Sequence, residues 1–146
     1  MKTIKVVRVV GAPIDRVFAR LSDHEGYARF PGVRSARLLK VGTNEKNGVG
    51  AVREIISAFM SFDEEITGFD RPHRMDYRII RSRPGIDHKG GSIELEAVDA
   101  GTRVTWTSTL QVKAPILASV LTKVATAIGA RAFDTILREV DKELRA

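Results

Sequence analysis

Hydrophobic and polar positions alternate in short runs over most of this chain, then switch to a helical period near its end. Thr3–Val10 is rich in β-branched residues and alternates loosely, which predicts a strand. Gly11-Ala12-Pro13 breaks it. Pro13 suits the first position of a helix, where its missing N–H costs nothing, and Asp15 suits the positive end of the helix dipole. Val17, Phe18 and Leu21 add an apolar stripe at helical spacing. Ser22 with Glu25 three residues on is a capping-box pattern. It predicts a second short helix carrying Tyr27 and Phe30 and stopped by Pro31-Gly32.

From Val33 to Val112 the pattern is that of about six strands. Turn signals divide them at Gly42-Thr43-Asn44, Asn47-Gly48, Asp70-Arg71-Pro72, Arg83-Pro84-Gly85 and Asp99-Ala100-Gly101. Met75, Tyr77 and Ile79 alternate with Arg74, Asp76 and Arg78. Ile93, Leu95 and Ala97 alternate with Glu94 and Glu96, and Val104, Trp106 and Leu110 with Arg103, Thr105, Thr107 and Thr109. Each strand thus has one apolar face and one wet face, and short connections make the set an antiparallel meander. With the first strand the total is roughly seven.

After Ala114-Pro115 the period stays helical to the end, with Leu117, Leu121, Val124, Ile128, Ile136, Val140 and Leu144 near one face. A helix from Pro115 to Arg145 would be about 45 Å long. Its apolar stripe is expected to bury itself against the apolar face of the sheet. The fold class that follows is α+β, one long C-terminal helix gripped by a curved antiparallel sheet, with two short helices between the first two strands. A straight helix cannot follow a curved sheet along its whole length, so the gap is either filled by large side chains or left hollow. Aromatic residues make up only 6% of the chain, and the helix carries Ala118, Ala125, Ala127, Gly129, Ala130 and Ala132. Two readings of these small residues stand: room for a ligand, or close packing of helix on sheet.

A length of 146 residues suits one domain, and 43% hydrophobic with 29% charged residues marks a globular chain rather than a disordered one. There is no apolar run long enough to span a membrane and no signal-peptide pattern at the start, so a cytoplasmic location is expected. The absence of cysteine removes disulfides, thiolate catalysis and cysteine-ligated zinc. The net charge of +6 raises nucleic acid or an anionic surface as a partner. The densest basic stretch, Arg71, Arg74, Arg78, Arg81 and Arg83, has no interleaved aromatics and no nucleic-acid motif, and reads as a solvated sheet face.

Among candidate chemical groups, Glu64 shares strand parity with Phe62 and Ile66. It is either a carboxylate on the inner face or one turned outward by a bulge. Arg53 sits in a run whose two parities are both half-apolar; it either pairs with Glu64, holds a ligand carboxylate, or faces water. Tyr77 and Trp106 are amphipathic aromatics on inward parity, able to orient a ligand or simply to pack. His24, His73 and His88 form no i,i+4 pair, so no metal site is expected, and His73 after its turn proline is expected to be exposed. Asp87-His88 precedes Gly90-Gly91, where a bulge would re-aim His88 toward a cavity mouth; a solvated loop is the other reading. Gly48-Val49-Gly50 lacks a third glycine and opens a strand, so no dinucleotide cofactor is expected, nor any other cofactor.

The order of motifs resembles the START-like (SRPBCC) superfamily, in its polyketide cyclase/dehydrase and lipid-transport branch. Ala12–Phe18 resembles that family's opening helix, and Ser22–Phe30 followed by Pro31-Gly32-Val33 its second helix and exit. Gly48–Arg53 resembles its third strand, Glu64-Glu65-Ile66 through Asp70 with Pro72-His73-Arg74 and Tyr77 its fourth and fifth, and Gly101–Trp106 its last. The resemblance spans nearly the whole chain. It implies the helix-grip fold of birch-pollen-allergen-like proteins, with residues 1–146 as a single ligand-binding domain.

The resemblance also implies binding or transport of a hydrophobic molecule with one polar end, between helix and sheet. Arg53, Phe62, Glu64, Ile66, Tyr77, Ile79, Trp106, Leu121 and Ile128 are the expected ligand-binding residues. The alternative is a cyclase/aromatase-like dehydratase, for which Glu64, Tyr77 and His88 are the only acid/base candidates. A third reading, a ubiquinone-binding or ribosome-associated interaction module, suits the basic charge. A homodimer is a further candidate assembly.

Overall fold

The computed structural model describes residues 1–145. Strand β1 (Lys2–Val10) leads into α1 (Ile14–Leu21), then a 3-10 helix over Glu25–Arg29. Six strands follow: β2 (Val33–Lys40), β3 (Val52–Ser57), β4 (Ser61–Asp70), β5 (Arg74–Arg83), β6 (Ile86–Val98) and β7 (Gly101–Val112). The chain closes with α2 (Ala118–Arg145). All seven strands form one antiparallel sheet in the order β1-β7-β6-β5-β4-β3-β2, so the meander is closed at one edge by the return of β1 beside β7.

The two short helices differ in detail from their expected form. Pro13 is the cap of α1 rather than its first residue. Ser22 does not cap a following helix. It closes α1, and its hydroxyl donates to the Phe18 carbonyl at 2.8 Å. The start of the 3-10 helix is held instead by Asp23, whose Oδ1 accepts the Gly26 N–H at 3.2 Å. A serine hydroxyl already bonded backward into its own helix cannot serve the next one.

The core fills the concave face. Val17, Phe18 and Leu21 of α1, Tyr27 and Phe30, Ile66, Met75, Ile93, Val104 and the α2 residues Leu137 and Val140 are all buried. On the outer face Arg74 and Arg78 are exposed as strand parity requires, Arg81 and Arg83 are exposed because a bulge at Ile80 reverses the parity of β5, and Arg71 and His73 are exposed in the turn between β4 and β5.

Helix α2 packs on β1, β7 and α1 rather than across the middle of the sheet. One of its flanks is tied to β1. Asp134 accepts from Arg8 at 3.1 Å, and Asp141 accepts the Gly11 N–H at 2.7 Å. Its underside carries Thr122, Thr126, Gly129 and Phe133. A Cβ on Gly129 would lie 2.6 Å from Ile4 Cδ1, so this glycine permits close approach of helix to β1. Here the close-packing reading of the small residues holds.

The apolar stripe of α2 is buried only in its C-terminal half. Leu121 is 43% exposed and Ile128 40%, contrary to the expectation that the whole stripe is covered. At about 100° per residue these two lie on the flank opposite Asp134 and Asp141, so they face the half of the sheet that the helix does not touch. A helix docked to one side of a curved sheet necessarily leaves one flank uncovered.

Candidate functional site

Beneath the uncovered side of α2 the inner face of the sheet changes from polar floor to apolar rim. Floor residues come from neighbouring strands. Arg53 on β3 is the register partner of Glu64 on β4, Glu64 that of Ile79 on β5, and Ile66 that of Tyr77. A bulge does interrupt β4–β5 beside Glu64, but the extra residue is Ile80 on β5. Glu64 therefore keeps its inward direction and is buried, as is Arg53. The ambiguous parity of Arg53 resolves inward.

Arg53 places Nε 2.7 Å and Nη2 2.6 Å from Oε1 of Glu64. Its Nη1 donates to Nδ1 of His24 at 3.2 Å, and the guanidinium lies over the Tyr27 ring at 4.4 Å from the centroid. Burial disfavours the cation, but Glu64 and Tyr27 more than offset this and hold its pKa above the usual arginine value. His24 is fully buried, and its Nε2 lies 2.9 Å from the Asn47 carbonyl. That carbonyl only accepts, so Nε2 carries the proton and Nδ1 offers its lone pair to Arg53. Burial and then the charge of Arg53 lower the His24 pKa to about 3. The tyrosine hydroxyl of Tyr27 donates to the Leu21 carbonyl at 2.7 Å. Burial raises its pKa.

Both arginine contacts fall on the same carboxylate oxygen. The other, Oε2 of Glu64, accepts no hydrogen bond among the described residues, and it is not among the fully enclosed polar atoms left without a partner. It is a free acceptor on the inner face.

A second group lies toward β6 and β7. The Tyr77 hydroxyl accepts from Trp106 Nε1 at 2.8 Å and donates to the Thr107 carbonyl at 3.3 Å. Its pKa is raised by burial first and by the nearby Glu64 charge second. Trp106 stacks on Phe133 of α2 with centroids 4.2 Å apart, and this stack fills the space under the helix on its β7 side. Both aromatics of this pair are thus structural as well as inward-facing.

His88 occupies a gap in the sheet. The β5–β6 ladder pairs only Arg74–Tyr77 with Gly91–Glu94, and beyond Tyr77 it opens. The register of β6 on β7 skips Lys89 between His88 and Gly90, and Gly90 has φ 131°. This bulge turns His88 inward, half-buried, with its ring stacked on Tyr77 at 5.7 Å. Nδ1 of His88 accepts the Ile79 N–H at 2.9 Å, and Nε2 lies 2.7 Å from Ser108 Oγ. Burial and the Arg78 charge lower its pKa to about 4, so it is neutral near pH 7. The bulge reading of Gly90-Gly91 holds and the solvated-loop reading does not.

The nine residues expected to bind ligand therefore divide. Arg53, Glu64, Ile66, Tyr77 and Trp106 are buried, Phe62 and Ile79 are half-buried on the neighbouring strands, and Leu121 and Ile128 are exposed on the uncovered flank of α2. Reasoning from sequence missed His24 and Tyr27 as partners of Arg53. Their only signal was position in the short segment after α1, where polar residues read as solvated. Outside this site, two open depressions of about 470 and 550 Å³ lie on the outer face, around Arg78 and Lys89 and around His73 and Arg103 respectively.

A helix laid along one side of a seven-stranded antiparallel sheet, with short helices after the first strand, defines a helix-grip protein. The chain belongs to the polyketide cyclase/dehydrase and lipid transport family, whose profile matches residues 1–145. No curated protein matches the sequence. Among solved structures, the Zhui aromatase/cyclase from Streptomyces sp. R1128 is similar, with a TM-score of 0.78 at 19% identity, over 99% of this chain and 93% of that one. A START superfamily protein from Mycobacterium smegmatis superposes with a TM-score of 0.77 at 11% identity, over 96% and 97%. A protein from Thermus thermophilus gives 0.77 at 18% identity, over 98% and 97%. At these identities the likeness is one of fold.

Proposed function

We propose that the protein binds and carries an apolar small molecule bearing one polar, hydrogen-donating end. The apolar body lies against Leu121, Ile128, Phe62 and Ile79, and the polar end reaches the floor. The observation that carries this reading is the unused oxygen of Glu64. An inward carboxylate fixed by Arg53 through one oxygen offers the other to a hydroxyl or amine, and little else in the floor is unspent. A few convergent polar groups within an apolar lining are the usual composition of small-molecule sites.

Carriage is favoured over a cyclase or dehydratase reaction of the kind named for the Zhui relative. Both ring nitrogens of His88 are bonded within the protein, and the Tyr77 hydroxyl both donates and accepts. Neither is free to exchange a proton with a guest without breaking a bond that holds the sheet together.

The test uses Trp106, the only tryptophan, as a fluorescent reporter alongside native mass spectrometry. Long-chain alcohols, amines and carboxylates and polycyclic phenols form the panel. Saturable binding of alcohols or phenols, weakened about tenfold or more by Leu121→Asp, is expected; a buried apolar contact is worth roughly 1.5–3 kcal/mol. Absence of saturable binding across the panel, or binding indifferent to Leu121→Asp, would sink the reading.

A further inference from the structure

One end of the sheet gathers exposed apolar tips inside a set of cations. The ladder pairs Val33 with Ser57, Ile56 with Ser61, Ser61 with Arg83, Ile86 with Val112, and Lys2 with Leu110. The β3–β4 turn, the β5–β6 turn, the β7–α2 connection and the start of β1 are therefore all at the same end. Three apolar side chains project there: Phe59 at 74% exposure, Ile116 at 74% and Leu117 at 64%. Leu117 also adopts a left-handed backbone with φ 62°, a region that leucine disfavours.

The charges at this end are one-sided. Lys2, Arg81, Arg83, Lys113 and Lys123 are exposed around the tips. The anions facing them are Asp87, 3.6 Å from Lys113, and the half-buried Asp63 opposite Arg81. No acidic residue lies between Lys113 and Asp134, and the first turn of α2 has none. The positive end of the α2 dipole adds to the same field.

We propose that this end docks on an anionic lipid bilayer, with Phe59, Ile116 and Leu117 entering the headgroup boundary and the cations on the headgroups. Separated apolar tips on different turns suit a fluid surface better than a complementary protein groove. Nucleic acid takes apolar side chains chiefly as wedges beside groove-reading residues, and no nucleic-acid motif accompanies these tips. No helix among the described residues is long and apolar enough to cross a membrane, so the contact is peripheral. This inference stands on the surface alone and does not need a guest between helix and sheet.

The experiment is co-sedimentation with phosphatidylcholine vesicles, pure or mixed with phosphatidylglycerol, paired with sedimentation velocity of the protein alone. Binding to the mixed vesicles only, falling as salt rises, is expected. The pairs Phe59→Asp/Ile116→Asp and Lys113→Glu/Lys123→Glu should each weaken it about tenfold or more, since a basic residue near an anionic surface is worth roughly fivefold. All four positions are exposed, so thermal melts should match the parent and exclude a folding cause. Equal binding to pure phosphatidylcholine, or no binding to either, overturns the proposal. A self-association abolished by Phe59→Asp/Ile116→Asp, without vesicle binding, replaces the bilayer with a second copy of the chain. Vesicle binding without uptake of any amphiphile keeps the docking surface while removing the carrier reading.

Discussion

Arg53 and Glu64 face each other across β3 and β4, and two guanidinium nitrogens converge on one oxygen of the carboxylate. Both are buried, so each neutralises a charge that would otherwise be stranded away from water. Arg53→Met leaves Glu64 alone on the inner face and is expected to cost about 3–5 kcal/mol. Adding Glu64→Leu should recover most of that loss, because an apolar pair of similar volume carries no desolvation cost. Urea unfolding of the two single variants and the double variant gives the coupling. Additive losses would mean that the pair is not the unit described.

Acid should weaken the fold through its two inward histidines. His24 and His88 are held neutral in the folded protein, with pKa lowered to about 3 and about 4 from 6.5. Between those values and 6.5 the unfolded chain binds more protons than the folded one, so stability rises with pH. The contribution is complete above pH 6.5 and is lost progressively as pH falls, to about 4 for His88 and about 3 for His24. Each such histidine adds a slope of up to ~1.4 kcal/mol per pH unit. His24→Gln should flatten the measured slope by up to that amount, and an unchanged slope would show that His24 titrates normally in the fold.

The Tyr77 ring rests on a glycine. A Cβ on Gly91 would overlap Tyr77 Cζ, and the ring is buried. Gly91→Ala is expected to cost about 1–3 kcal/mol by overpacking. It should also shift the emission of Trp106, whose N–H donates to the displaced hydroxyl. Tyr77→Phe removes that acceptor without moving the backbone and should cost about 1–3 kcal/mol. The same spectral shift in both variants identifies the lost bond as the common cause.

Gly129 and Ile4 should behave as a coupled pair. Alanine in a helix interior gains roughly 1 kcal/mol over glycine, but here its Cβ meets Ile4 Cδ1. Gly129→Ala alone is expected to be near neutral. In an Ile4→Val background, where the clashing methyl is gone, the same substitution should stabilise by about 1 kcal/mol. Equal effects in both backgrounds in thermal melts would show that the helix does not sit as close to β1 as described.

Strand parity located much of this site in advance. Ile66 and Tyr77 point inward as their parity predicts, and of the two readings open for Glu64 the inward one holds because the bulge falls on Ile80. Arg53 was ambiguous because both faces of its strand are half-apolar, and only its partner on β4 decides the direction. The turn at Ala58-Phe59-Met60 has no glycine, proline or asparagine, so nothing marked it. Leu121 and Ile128 lay on the expected stripe, yet whether a stripe is covered depends on where along the sheet the helix docks. Periodicity does not encode that position; the close contact at Gly129 and the ties from Asp134 and Asp141 to β1 set it. His24 was hidden for a related reason, since its partners, the Arg53 side chain and the Asn47 carbonyl, lie more than twenty residues away in sequence.

The Ile79 amide is bonded to an imidazole where a strand carbonyl would normally stand. Beyond Tyr77 side chains bridge the seam between β5 and β6: a lone pair on Nδ1 of His88 takes the Ile79 amide, and Ser82 Oγ takes the Ile86 amide. A proton on Nδ1 of His88, at pH values near 4 and below, takes that lone pair and releases the Ile79 amide without touching the ladders on either side. Amide exchange at Ile79 should then run ahead of exchange at Tyr77, whose strand still pairs with Gly91. One amide of the sheet therefore depends on the charge of a side chain rather than on a neighbouring strand.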